Sequence, residues 1–183
     1  MSYKAFKQAV LNRGVPPDRF LDELIAWGKT APDDIFAQKS GKNIYAQTVG
    51  ILGPWEGPLH RRAAMLEVMR VLAGFESSWN WQEGMDPDTA HPELPETWEA
   101  GAWQVSADSM DIAPELKALV VATAGADDPT TFQTAMKSDH ILAMEYIARL
   151  LRHSVTHNGP VGGHHIDAWL KRDAVDEFVS YLK

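Results

Sequence analysis

The chain has 183 residues, enough for one domain with a full hydrophobic core and short for two. Hydrophobic residues make up 45% and charged residues 23%, the balance of a globular protein. No window approaches the ~20 apolar residues of a membrane span, which excludes membrane insertion. The formal net charge of −8 repels phosphate backbones, and no basic cluster beyond Arg61-Arg62 and Lys171-Arg172 offsets it, so nucleic acid is excluded as a partner.

Residues 3–12 and 18–29 read as two short amphipathic helices separated by Pro16-Pro17, with Asp18 able to cap the second. Residues 30–60 are rich in Gly and Pro, with Gly53-Pro54 and Gly57-Pro58 marking turns, and read as an irregular arm laid over the core. Residues 59–76 form the clearest buried helix. Its apolar residues Met65, Leu66, Val68, Met69, Leu72 and Phe75 cover more than half its circumference. Residues 79–98 turn polar and proline-broken, which predicts a long loop or a small hairpin. A short element follows over 101–110 and a helix over 112–122. Asp127-Asp128-Pro129 opens another helix, and 139–153 is a second strongly apolar one. Asn158-Gly159-Pro160 and Gly162-Gly163 break it before a final amphipathic helix over 165–182. The expected architecture is a single, mainly α domain over 1–183. It comprises a helical N-terminal arm (1–58), a core (59–183) and at most a small sheet within 80–105.

Chemistry concentrates at the end of the buried helix. Glu76 closes it and is followed by Ser77-Ser78-Trp79-Asn80-Trp81. Apolar neighbours and the negative end of the helix dipole both disfavour its charged form, and a raised pKa is what a general acid near neutral pH needs. In Gly101-Ala102-Trp103-Gln104-Val105-Ser106, the glycine allows close backbone approach, and Gln104 offers a donor and an acceptor suited to hydroxyl and N-acetyl groups. A second carboxylate is sought among Glu83, Asp86, Asp88, Glu93, Glu96 and Glu99, of which Glu99 adjoins the glycine motif and is preferred. Trp79, Trp81 and Trp103 either line a sugar groove or fill the core.

The chain has no cysteine, so neither disulfides nor thiolate sites arise. His153 and His157 have helical metal-ligand spacing, but no H-E-x-x-H accompanies them, and no metal or cofactor is expected. Nor is there a P-loop, a G-x-S-x-G or a G-x-G-x-x-G.

The order and spacing of these motifs resemble the lysozyme-like superfamily, especially goose-type lysozymes and soluble lytic transglycosylases. In that superfamily a catalytic glutamate followed by serine closes a buried helix, here Glu76-Ser77. A Gly-Leu-Met-Gln-hydrophobic motif corresponds to Gly101-Ala102-Trp103-Gln104-Val105. A helix reading Asn-x6-Tyr-Leu corresponds to Asp139, Ala143, Tyr146 and Ile147. Ala-Tyr-Asn-x-Gly corresponds to Thr156-His157-Asn158-Gly159. Asp139 and His157 depart from the pattern, and His157 replaces a tyrosine that lines the transglycosylase site. The runs FESSWNWQEG and EAGAWQVSADSM look most like the leaderless peptidoglycan glycoside hydrolase toxins of type VI secretion.

The resemblance implies a muramidase that cuts the β-1,4 bond between N-acetylmuramic acid and N-acetylglucosamine. Glu76 and Glu99 would be catalytic, and Ser78, Trp79, Gln104, Tyr146, His157 and Asn158 would contact the glycan. The N-terminus has no continuous apolar run and no small-residue cleavage site, which predicts synthesis in the cytoplasm without a signal peptide and export by a dedicated system to a target periplasm. A periplasmic immunity protein blocking the groove is the expected partner. Alternatives on the same fold are a lytic transglycosylase, a phage-type endolysin and a non-catalytic glycan-binding domain.

Overall fold

The computed structural model describes residues 3–41, 43–85, 93–153 and 159–183. Its elements are helices: α1 (Asp18–Thr30), α2 (Ile44–Leu52), α3 (Pro58–Ser77), α4 (Pro114–Ala124), α5 (Pro129–Ser138), α6 (His140–His153) and α7 (Arg172–Leu182), with short 3₁₀ turns between them. Among the described residues the β content is one isolated antiparallel bridge, Ala100 to Val105, so in the described part of 80–105 the anticipated hairpin is a single tight turn. Among those residues, no helix is long and apolar enough to cross a membrane.

Helix α3 is the axis. Pro58 sits in its first turn, where the missing N–H would be unsatisfied anyway. Met65, Leu66, Met69, Val71 and Ala73 are all buried, as a helix apolar nearly all round must be. Its middle also carries a pair of charges whose side chains have no exposure at all. Arg70 Nε and Nη2 donate to the Glu67 carboxylate at 2.7 and 2.8 Å, and Lys171 N–H donates to the same carboxylate at 3.0 Å. Arg70 also reaches the carbonyls of Gln8 and Trp169, so the pair ties both chain ends to α3.

The N-terminal arm is not an outer layer. Phe6, Val10, Leu21, Leu24, Trp27, Phe36, Ile44 and Leu52 belong to the same hydrophobic cluster as α3 and α6. Residues 3–12 do not form the expected helix. The N–H groups of Lys4, Ala5 and Phe6 donate to the Glu177 carboxylate on α7, and Phe6 stacks on Phe178 with ring centroids 4.2 Å apart. Tertiary capture outweighs a short amphipathic pattern, because one isolated turn or two of helix is marginal in water.

The expected irregular arm also contains α2, capped by Asn43, whose side chain accepts the N–H of Tyr45 at 3.0 Å. Arginines bolt the arm down by donating to carbonyls that helix ends leave unpaired. Arg62 donates to Gly28 O and Ala31 O at the end of α1, and Arg172 to Leu52 O and Gly53 O at the end of α2. Arg152 donates to Ile35 O and Ala37 O.

The remaining boundaries follow local chemistry. Helix α4 begins at Pro114 rather than 112, again with proline in the first turn. Helix α5 is capped by Asp128, as the Asp-Pro signal predicts. Asp139 accepts the N–H of Leu142 at 3.0 Å and so caps α6, a task aspartate performs as well as asparagine. The final helix begins at Arg172, because 160–169 is spent in turns and a 3₁₀ segment at Asp167–Trp169.

Candidate active site

The end of α3 is built to stop abruptly. Ser78 and Trp79 both take the left-handed conformation, at φ 56° and 60°. Ser78 N–H donates to Gly74 O and Trp79 N–H to Ala73 O, which closes the last turn. The Trp79 indole folds back over Gly74, where an added Cβ would lie 2.5 Å from the ring, and its Nε1 donates to Arg70 O at 2.8 Å. The Ser77 hydroxyl donates to Ala102 O at 2.8 Å and accepts the N–H of Asn80, joining the helix end to the glycine motif.

That motif is a tight turn. Ala100 and Val105 exchange both backbone hydrogen bonds around Gly101 to Gln104. Gly101 has φ +76°, and a Cβ there would meet Met136 O at 2.6 Å, so both backbone sign and space call for glycine. Gln104 is itself left-handed at φ 45°, with its side-chain amide donating to Gly101 O at 2.9 Å. Trp103 turns inward and donates to Met69 O.

Between these parts lies a cleft of about 370 Å³. Glu76 and Glu99 line it with Gln104, Ser106 and Ser109; Leu72, Ile147, Leu150 and Leu151 contribute apolar surface. Gly159, Pro160, Val161 and Gly162 contribute a backbone-rich wall. The Glu76 pKa is raised from 4.5 to about 7, first by burial and second by the negative charge of Glu99, while Arg13 pulls weakly the other way. Glu99 is exposed at the rim. A carboxylic acid protonated near pH 7 facing an accessible carboxylate can give a proton to one atom of a ligand while a base acts on another.

The structure brings together Glu76, Glu99 and Gln104 of the predicted set. Trp79 and Tyr146 are instead core side chains, 3% and 0% exposed, and neither lines the cleft. Tyr146 touches it at one remove, its hydroxyl 2.6 Å from that of Ser109. Ser78 serves as the helix stop rather than as cleft lining. Of the three tryptophans, Trp103 reaches the cleft, whereas Trp81 is half-buried and stacks on His140, with ring centroids 3.8 Å apart. Glu83 binds Asn80, and neither it nor Glu93 or Glu96 lines the cleft. His157, Asn158, Asp86 and Asp88 lie outside the described residues.

Ser109 was not among the predicted site residues, nor were the roles of Ser106, Ile147, Leu150 and Val161 as cleft walls. Ser106 closes the glycine motif and Ser109 follows three residues on. Among the described residues, no group of three or more His, Asp or Glu side chains is placed to hold a metal ion. No family model, curated protein or solved structure matches the chain.

Proposed function

We propose that this chain is a peptidoglycan glycosidase of lysozyme type, cleaving the β-1,4 bond between N-acetylmuramic acid and N-acetylglucosamine. One observation carries the reading. A half-buried glutamate at the end of the central helix holds its proton to about pH 7 inside a cleft that a second carboxylate also lines. That is the pairing glycoside hydrolysis requires. Glu76 donates its proton to the glycosidic oxygen as the bond from the anomeric carbon breaks. Glu99 takes a proton from water, whose oxygen bonds to that carbon from the opposite face. Glu76 leaves the step ionised and Glu99 protonated, and solvent exchange resets both. The apolar surface and backbone-rich wall suit a sugar, whose faces are apolar and whose edges hydrogen-bond.

Water as nucleophile is favoured over the muramic C6 hydroxyl because Glu99 supplies a base at the cleft. Mass spectrometry of muropeptides released from purified sacculi tests this. Products with free reducing ends support hydrolysis, and 1,6-anhydro products assign the chain to transglycosylation. Binding without release would make it a glycan-binding domain.

The resemblance of FESSWNWQEG and EAGAWQVSADSM to type VI toxins supports a further part of the reading. The protein acts as an antibacterial effector in a target periplasm, opposed by an immunity protein that plugs the groove. Periplasmic expression should lyse a host, Glu76→Gln should abolish lysis, and the neighbouring gene should rescue.

A further inference from the structure

One wall of the cleft that Glu76 and Glu99 line is a glycine-rich loop. It contains Gly159, Gly162 and Gly163, the residue type with most backbone freedom to lose. Its internal hydrogen bonds, Gly163 N–H to Gly159 O, His164 N–H to Val161 O and His165 N–H to Pro160 O, fold the described part of the loop on itself. Val161 is its buried side chain. The second tether comes from far away in sequence. Gln47 on α2 places its amide nitrogen 3.0 Å from Val161 O and 3.2 Å from Gly162 O, so one NH₂ group spans two successive carbonyls of the wall.

The support under Gln47 is firm. Asn43 caps α2, Arg172 holds its far end through Leu52 O and Gly53 O, and the Arg152 guanidinium lies over the Tyr45 ring at 5.3 Å. We propose that Gln47 is a positioning residue for the glycan cleft: through Val161 and Gly162 it sets a wall of the cleft that Glu76 and Glu99 also line, and so makes the N-terminal arm part of substrate binding. The proposal rests on the glycosidase reading for its substrate, though not for the clamp itself. A wall held at its bound position before the ligand arrives loses less entropy on binding, so the effect belongs in KM.

Gln47→Met keeps length and packing while removing both donors, and Gln47→Lys restores a donor. With a soluble, defined peptidoglycan oligomer, Gln47→Met should raise KM roughly 10-fold, the scale of two neutral hydrogen bonds. The kcat should stay within about twofold, because the acid is untouched. The pH profile should not move, and Gln47→Lys should recover part of the loss. Independently of activity, hydrogen exchange of the amides in 159–165 should quicken in Gln47→Met while that of α3 does not. An active Gln47→Met enzyme with wild-type KM and wild-type exchange overturns the clamp and leaves the glycosidase reading intact. A wild type that releases no glycan fragment, with faster loop exchange in Gln47→Met, overturns the glycosidase reading and leaves the clamp standing.

Discussion

Helix α3 carries two buried or half-buried carboxylates, and their surroundings are opposites. Glu67 in the middle is sealed from solvent, paired bidentately with Arg70 and bonded to the Lys171 N–H. Glu76 at the end faces a cleft, is shaded by apolar residues, and meets a second negative charge. The same residue type on the same helix is thus a staple at one point and a poised acid at the other. Partner supply makes the difference: burial pushes both carboxyls up, but at Glu67 the Arg70 guanidinium and the Lys171 N–H oppose it, whereas at Glu76 the neighbouring Glu99 charge adds to it.

Substituting each by glutamine is the sharpest way to break the comparison. Glu76→Gln should lower turnover by about 10²–10⁴-fold, the range of general acid catalysis, with the fold intact by circular dichroism. A variant within threefold of wild type would sink the mechanism. Glu67→Gln should act on stability instead, by about 3–5 kcal/mol, because it leaves Arg70 buried without a counter-charge. Denaturant titration reads this, and a shift under 1 kcal/mol would mean the pair is not the staple described.

The two variants should also differ in sign. Folded Glu76 holds its proton up to about pH 7 and the unfolded chain only to about 4.5, so the native state binds more protons in between. Stability therefore falls as pH rises through that window, by up to about 3 kcal/mol at ~1.4 kcal/mol per unit. Glu76→Gln should remove the fall, and its melting temperature at pH 8 should exceed that of wild type.

Smaller effects sharpen the electrostatics. Glu99→Gln should impair hydrolysis and also lower the Glu76 pKa by removing a negative neighbour, a shift that carbon NMR titration of the Glu76 carboxyl would show directly. Arg13→Ala should do the reverse and move the alkaline limb of activity upward. As Arg13 is exposed, its effect at pH 7 should stay below about threefold. If both variants moved the Glu76 titration the same way, the charge arrangement assigned to the cleft would be wrong.

Much of this was legible in the sequence where one physical signal dominates. Helices α3 and α6 follow from apolar density, α5 from Asp128-Pro129, and Glu76 from its place at an apolar helix end. Helix α2 was hidden because Gly53-Pro54 and Gly57-Pro58 signal turns, although Asn43 followed by ten proline-free residues carries a helix signal. Residues 3–12 misled in the other direction, since their pattern is helical and their donors are claimed by Glu177, 171 or more residues away. Trp79 and Tyr146 show a limit of motif reading. They stand in the expected places and act from inside the core, where Trp79 shapes the helix stop and Tyr146 supports Ser109.

The arginine bolts between the arm and the rest of the molecule have a consequence for recombination. Arg62, Arg152 and Arg172 come from α3, α6 and α7, and each closes carbonyls of the first 54 residues. A crossover between related chains at residue 58 would separate every donor from its acceptor. Because the acceptors are backbone carbonyls, any parent supplies them, and a chimera made there keeps its bolts only if the parent of residues 58–183 carries arginine at 62, 152 and 172. The heritable part of the joint therefore lies in three side chains behind the crossover and in the backbone path ahead of it.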